Sequence, residues 1–250
     1  MKRAFSPISV LVVLAIVLGA QGVDAQKRRA AKPALQKSKR VTPVTTPRVK
    51  PPSTREEEIL AEINLARANP IQYAGYLEAF KQNYNGKELT FSDGKSLVTN
   101  EGVSACDEAI VYLRSLKPMA PLEMRTGLVM GAKDHVGDLV KTGGRGHKGS
   151  DGSVPEDRVS RYGTWSDSVG EDILYDSRKA REDVISLIID DGVATRGHRK
   201  NIFKPTFHVI GIALSNGSSG TIGVITFAGG FADRTTTRDP KTTSSTAARF

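Results

Sequence analysis

Three short stretches of the chain set costly polar side chains beside glycines: Gly146-His147, Gly170-Glu171 and Gly197-His198-Arg199-Lys200-Asn201-Ile202. Glu171 lies in or just before an otherwise apolar segment (GEDILYD), where an unpaired carboxylate carries a desolvation cost. Two imidazoles and a carboxylate are ligand types for a divalent metal such as zinc, with one position left open. The same three residues also suit a plainer role, a buried Glu–His hydrogen-bond network that orders irregular loops. The gaps between them are long, and spacing alone does not choose. Of the other two histidines, His135 shares an apolar helical face with Leu128, Ala132, Val136 and Leu139, the pattern of a core histidine, and His208 falls outside the set. No His-Glu-x-x-His helix and no nucleophile elbow occurs, so no motif demands catalysis. The single cysteine, Cys106, excludes an intramolecular disulfide and any multi-cysteine metal site. Its place beside Ala109, Ile110 and Leu113 makes it a small core residue rather than a reactive thiol.

The elements that must position these residues are mostly helical at first and then stranded. Glu56 to Arg67 reads as a helix, with Ile59, Ile63 and Ala66 at helical spacing, Thr54 as its N-cap and three glutamates in its first turn. Pro70 can open a second helix bearing Tyr73, Leu77 and Phe80. Residues 84–103 read as a long loop, 104–116 and 122–140 as helices, and 142–168 as an irregular glycine-rich stretch. Strands are expected at 169–175, 209–214 and 221–227, with a helix over 178–191. His147 and His198 are then loop residues. Segregated helices and strands give an α+β fold, and no phosphate-binding glycine motif is present.

The two ends differ in composition from this core. Lys2 and Arg3, the apolar run Ile8–Leu18 and the small residues of Val23-Asp24-Ala25 make residues 1–25 a secretory signal peptide, with an uncleaved signal anchor as the alternative. Residues 26–55 hold ten Lys or Arg, five prolines and no acid, the composition of an extended, disordered linker. That linker is either a solvated spacer or an electrostatic contact for anionic surfaces. Residues 233–250 are rich in Thr and Ser and are expected to be a disordered tail. Of the net charge of +9, residues 1–25 carry +1, the linker +10 and the tail +2, which leaves −4 for residues 56–232. The basic charge therefore sits in an arm, and no specific nucleic-acid role follows from it. A secreted, periplasmic or cell-surface monomer is expected.

The order of motifs resembles a bacterial member of the CAP superfamily, which includes cysteine-rich secretory proteins, venom antigens and plant pathogenesis-related proteins. The resemblance runs from Asn64-Leu65-Ala66-Arg67-Ala68-Asn69-Pro70, through His147, Asp151-Gly152-Ser153, Pro155, Arg158 and Tyr162-Gly163, to Gly170-Glu171-Asp172-Ile173. It continues through Asp190-Asp191-Gly192, Gly197 to Ile202, and Phe207 with Ile210-Gly211. It implies a single CAP (SCP-like) domain over 56–232. The fold it implies is an α–β–α sandwich with a three-stranded antiparallel sheet between helical layers, and with it a cleft lined by two histidines and two acids. His147, Glu171 and His198 match three of these four; Asp190 is the best match for the second acid and Asp191 the next. His135 matches a histidine often found on the helix before the cleft. The chain departs from the family pattern where Asp172 replaces an asparagine, Leu187 a tryptophan and Asp190 a glutamate. What the resemblance implies is an exported protein able to hold zinc or another divalent cation at His147, Glu171, Asp190 and His198, in a non-enzymatic binding role. Its ligand would be a small molecule, a lipid or a cell-wall component. The alternatives are a metal-dependent, peptidase-like hydrolase using the same cleft, and a lipid or cell-wall module in which the four residues are structural.

Overall fold

Helix α1 (Arg55–Ala68) starts where Thr54 Oγ1 accepts the Glu57 N–H, and Glu56, Glu57 and Glu58 lie at the positive end of its dipole. It begins one residue inside the expected linker, because Arg55 pairs with Asp183 at 3.0 Å. The computed structural model describes residues 52–234, all within one compact unit. The expected signal peptide, almost all of the expected linker and nearly all of the expected tail lie outside the described residues.

Pro70 opens α2 (Pro70–Phe80), which buries Tyr73, Leu77 and Phe80. The segment expected to be a loop is a small antiparallel meander of β1 (Tyr84–Asn85), β2 (Glu88–Thr90) and β3 (Ser96–Val98). Strands of two or three residues with only Leu89 buried show no alternation to read. Then follow α3 (Val103–Ser115), β4 (Glu123–Met124), α4 (Thr126–Thr142) and α5 (Pro155–Ser160). The helix expected from 122 thus starts four residues later, its first residues serving as β4. Gly143, in the left-handed conformation, ends α4.

The rest of the chain forms β5 (Gly163–Leu174), α6 (Ala180–Ile189), α7 (Gly197–Ile202), β6 (Val209–Gly217) and β7 (Gly220–Asp233). β5 starts six residues before the expected strand. A register shift between Ser166 and Val169, with Asp167 at φ 70°, breaks its alternation and hides its first half in the sequence. The main sheet has the order β4-β6-β7-β5. Its three long strands are antiparallel, and the short β4 adds a parallel edge.

Alternation along the strands sends apolar side chains to both faces. Ile210, Ile212, Ile225 and Phe227 share one core with α1, α2, α3 and α6. On the other face, Ala132, Val136 and Leu139 of α4 pack on Ile173, Ala213 and Val224, while Val159 of α5 joins Leu128, Val209 and Ala228. The fold is α+β, an α–β–α sandwich around a small antiparallel sheet.

Candidate functional site

The alternation of β5 decides where the acids point. Glu171 and Ile173 face α4, whereas Asp172 and Leu174 face the α6 side. Glu171 is buried, and both of its oxygens are engaged. Oε1 lies 3.0 Å from His147 Nδ1, and Oε2 accepts from Arg158 Nη2 at 2.8 Å. A buried carboxylate in this setting needs such partners. Arg158 is 2 % exposed and also donates to the carbonyls of Ser153 and His147. The loop before His147 is pinned at Gly146, whose N–H donates to Tyr175 Oη at 2.7 Å. The Gly146 carbonyl lies 2.9 Å from His135 Nε2, and Gly146 itself sits at φ 86°, where a side chain would be strained. His135 is thus a core histidine that fixes the loop carrying His147. Burial lowers its pKa, against the charge of Glu171.

His198 is held from the other side. Asp190 ends α6 in the left-handed conformation, and its carboxylate reaches across the turn to α7. Its Oδ2 accepts the His198 backbone N–H at 2.9 Å, and its Oδ1 lies 2.6 Å from His198 Nδ1. Asp191 turns away and accepts the backbone N–H groups of Asn100 and Glu101. Of the two aspartates, Asp190 is therefore the partner of His198. His198 occupies the first turn of the short helix α7 rather than the loop expected of it. Burial pulls its pKa down, but the Asp190 hydrogen bond and the charges of Asp172 and Asp190 outweigh this, and the result lies above the ordinary histidine value. Asn201 ties α7 to β5 by donating to the Glu171 carbonyl and to Asp172 Oδ1.

The four sequence-marked residues thus form two pairs, His147–Glu171 and His198–Asp190. In each, a carboxylate fixes the Nδ1 edge of an imidazole and leaves Nε2 without a hydrogen-bond partner among the described residues. Among the described residues, no group of three or more His, Cys, Asp or Glu side chains is placed to hold a metal ion. The donor set agrees: both oxygens of Glu171 and both of Asp190 are committed, and the Arg158 cation lies against Glu171. A four-ligand shell does not fit these residues. In their arrangement the carboxylates hold the two imidazoles from behind, through Nδ1.

Beside His198 lies a groove of about 290 Å³ between the β2–β3 hairpin and the end of α6. Leu89, Phe91, Leu97, Ile173 and Leu187 make it largely apolar, and Asp190 and His198 supply polar groups. Sequence reasoning missed Arg158 and Tyr175 as parts of the site, and no spacing rule marks either. Asp172, next to Glu171 in the same apolar run, carried the same desolvation signal.

The family model for CAP, the cysteine-rich secretory protein family, matches residues 108–228. That span takes in α4 to β6, most of β7 and both His–carboxylate pairs, and it supports a CAP superfamily domain. The fold is similar to that of an outer surface protein from Borrelia burgdorferi, at 17 % identity and a TM-score of 0.38, over 44 % of this chain and 78 % of that one. It is also similar to an extracellular protein containing a SCP domain from Bacillus anthracis str. Ames, at 18 % identity and a TM-score of 0.37, over 48 % of this chain and 37 % of that one. No curated protein matches the chain.

Proposed function

We propose that this is an exported, non-enzymatic binding protein. Its ligand, a small molecule, lipid or cell-wall component, lies in the groove beside His198. The observation that carries this reading is the state of the carboxylates. Glu171 and Asp190 are both engaged with imidazole Nδ1 atoms, so what is left for a ligand is two fixed imidazole edges and an apolar groove. Export is supported by the signal-like residues 1–25. A divalent cation such as zinc would be held by Nε2 of His147 and His198, and it would supply a Lewis-acidic contact for an anionic or carbonyl group of the ligand. Glu171 and Asp190 hold the two rings in one tautomer and orientation.

Zinc calorimetry at neutral pH on four single variants tests the cation part. His147→Ala and His198→Ala should each weaken binding by about tenfold or more, and Asp190→Ala by less, because it removes only the orienting group. His208→Ala, at an exposed residue before β6, should have no effect. Unchanged affinity in both cleft-histidine variants would leave the pairs a purely structural network. A hydrolase would need Glu171 as general base, yet both of its oxygens are held and it is 6 % exposed. A peptide and ester screen with and without zinc should show no metal-dependent turnover, and turnover abolished by Glu171→Gln would reverse this reading.

A further inference from the structure

Two asparagines in the sequence are followed by glycine, Asn85-Gly86 and Asn216-Gly217, and both lie in hairpins. An asparagine in that setting can react with its own main chain. The backbone nitrogen of the next residue attacks the side-chain carbonyl carbon, and glycine, with no Cβ, leaves the approach open. The outcome depends on whether that nitrogen is free and whether the side-chain amide can reach it. The two sites differ on both counts. Asn85 is exposed, and its side chain has no hydrogen-bond partner among the described residues. Its pairing with Glu88 leaves Gly86 and Lys87 as a two-residue turn, with Gly86 at φ 63°. The Gly86 N–H meets no acceptor among the described residues, and a Cβ built there would have nothing within 4 Å. Strand β1 is two residues long, so fraying it frees the reacting atoms at little cost. Asn216 is held instead. Its Oδ1 accepts from Thr221 Oγ1 at 2.8 Å, which draws the amide across to β7. Gly217 sits inside the ladder, opposite Gly220, at the end of a run of nine paired residues.

We propose that Asn85 is a site of spontaneous covalent modification, in which the side chain closes onto Gly86 N and hydrolyses to a carboxylate, and that the fold spares Asn216. In the first step a bond forms between Gly86 N and Asn85 Cγ and the Cγ–Nδ2 bond breaks. Nδ2 leaves as ammonia, taking the proton from Gly86 N, and a cyclic imide remains. Water then adds to one of the imide carbonyls. Opening at Cγ gives an aspartyl residue at position 85. Opening at the main-chain carbonyl gives the isoaspartyl form, whose backbone runs through Cγ and is longer by a methylene. The net change is amide plus water to acid plus ammonia, with no oxidant or reductant. Either product disturbs the hairpin. A carboxylate at position 85 stands directly opposite Glu88, and like charges so placed destabilise a ladder. The longer backbone throws Tyr84 out of register with Leu89. Both of those side chains line the groove beside His198, so the modification loosens one wall of it.

The test is incubation of the full chain in mildly alkaline buffer, with successive samples digested and mapped by mass spectrometry. The peptide carrying Asn85 should gain the mass of amide-to-acid conversion and resolve into aspartyl and isoaspartyl forms. The peptide carrying Asn216 should convert at least about tenfold more slowly. In urea, where neither hairpin persists, the two rates should converge. Asn85→Gln, whose longer side chain would have to close a larger ring, should block conversion at position 85. Thr221→Val removes the hydroxyl that holds Asn216 and keeps a branched side chain, and it should speed conversion at Asn216 several-fold. Main-chain hydrogen exchange at Leu89 should quicken as the modified fraction grows. No conversion at Asn85, equal rates at the two sites in the folded chain, or a preference for Asn85 that persists in urea would overturn the proposal. So would a rate at Asn216 indifferent to Thr221→Val, or exchange at Leu89 indifferent to the modified fraction.

Discussion

Asp172 is the residue whose chemistry is furthest from ordinary. Its carboxyl is fully buried, Oδ1 accepts from Asn201 Nδ2 at 2.7 Å, and Oδ2 has no partner. Burial, with the charges of Asp190 and Glu171, pushes its pKa up to about 8, against the pull of His198 and Asn201. The folded protein therefore holds a proton that the unfolded chain releases near pH 4. The associated stability is complete below that value and declines as pH rises towards about 8. Asp172→Asn keeps the acceptor for Asn201 and has no charge to desolvate. It should stabilise the fold at pH 7.5 by about 1–3 kcal/mol, and the gain should vanish near pH 4. Urea denaturation at the two pH values measures this, and an equal difference at both would contradict it. The histidines have slopes of their own. His198, with its raised pKa, contributes stability that is full below about pH 6.5 and is lost as pH rises through its folded value. His135, lowered by burial, costs stability as pH falls below about 6.5. Comparing the Asn variant with the parent at each pH cancels the His135 slope, whereas the His198 slope changes with the substitution, because Asp172 is one source of its raised value.

Helix α4 carries His135 across the sheet, and its closeness depends on Gly211 in β6. A Cβ at Gly211 would stand 2.2 Å from the Leu128 carbonyl carbon and 2.3 Å from Val129 N, both backbone atoms that cannot swing aside. Gly211→Ala should therefore lift α4 from the sheet and cost about 2–4 kcal/mol in urea denaturation. Gly137 lies on the exposed face of the same helix, where an added methyl would meet nothing within 4 Å, so Gly137→Ala should stabilise by roughly 0.5–1 kcal/mol. If both variants behaved alike, helix propensity rather than close approach would govern α4. Elements of this length were legible in the sequence because helical periodicity accumulates over several turns, as in α1, α2 and α3. The meander β1–β3 was not, since its strands are too short to alternate. The first half of β5 was hidden by its register shift, and α7 by its six residues. The same division holds in the site. His147, Glu171 and His198 stood out because each is an expensive polar group beside a glycine, whereas the burial of Arg158 exists only once α5 is laid against β5.

At the scale of the molecule, the sheet divides the chemistry between its faces: Glu171 is tied to α4 and α5 and Asp172 to α7, and β5, which carries both acids, links the two His–carboxylate pairs. No described helix is long and apolar enough to cross a membrane. Charge is divided as well, with ten basic residues and no acid over 26–55 against −4 over 56–232. An attraction to an anionic surface would then belong to the arm, and each Lys or Arg held near such a surface contributes about 1 kcal/mol. Attraction of this kind decays over a Debye length of about 10 Å at 0.1 M salt and about 3 Å at 1 M. The chain from residue 26 should therefore sediment with phosphatidylglycerol vesicles in dilute buffer and be released as salt approaches about 1 M. The chain from residue 53, which keeps Arg55 and its pairing with Asp183, should stay in the supernatant throughout. Vesicle binding by the shorter chain, or binding by the longer one that salt does not reverse, would assign the contact to the folded domain and its groove instead of to the arm.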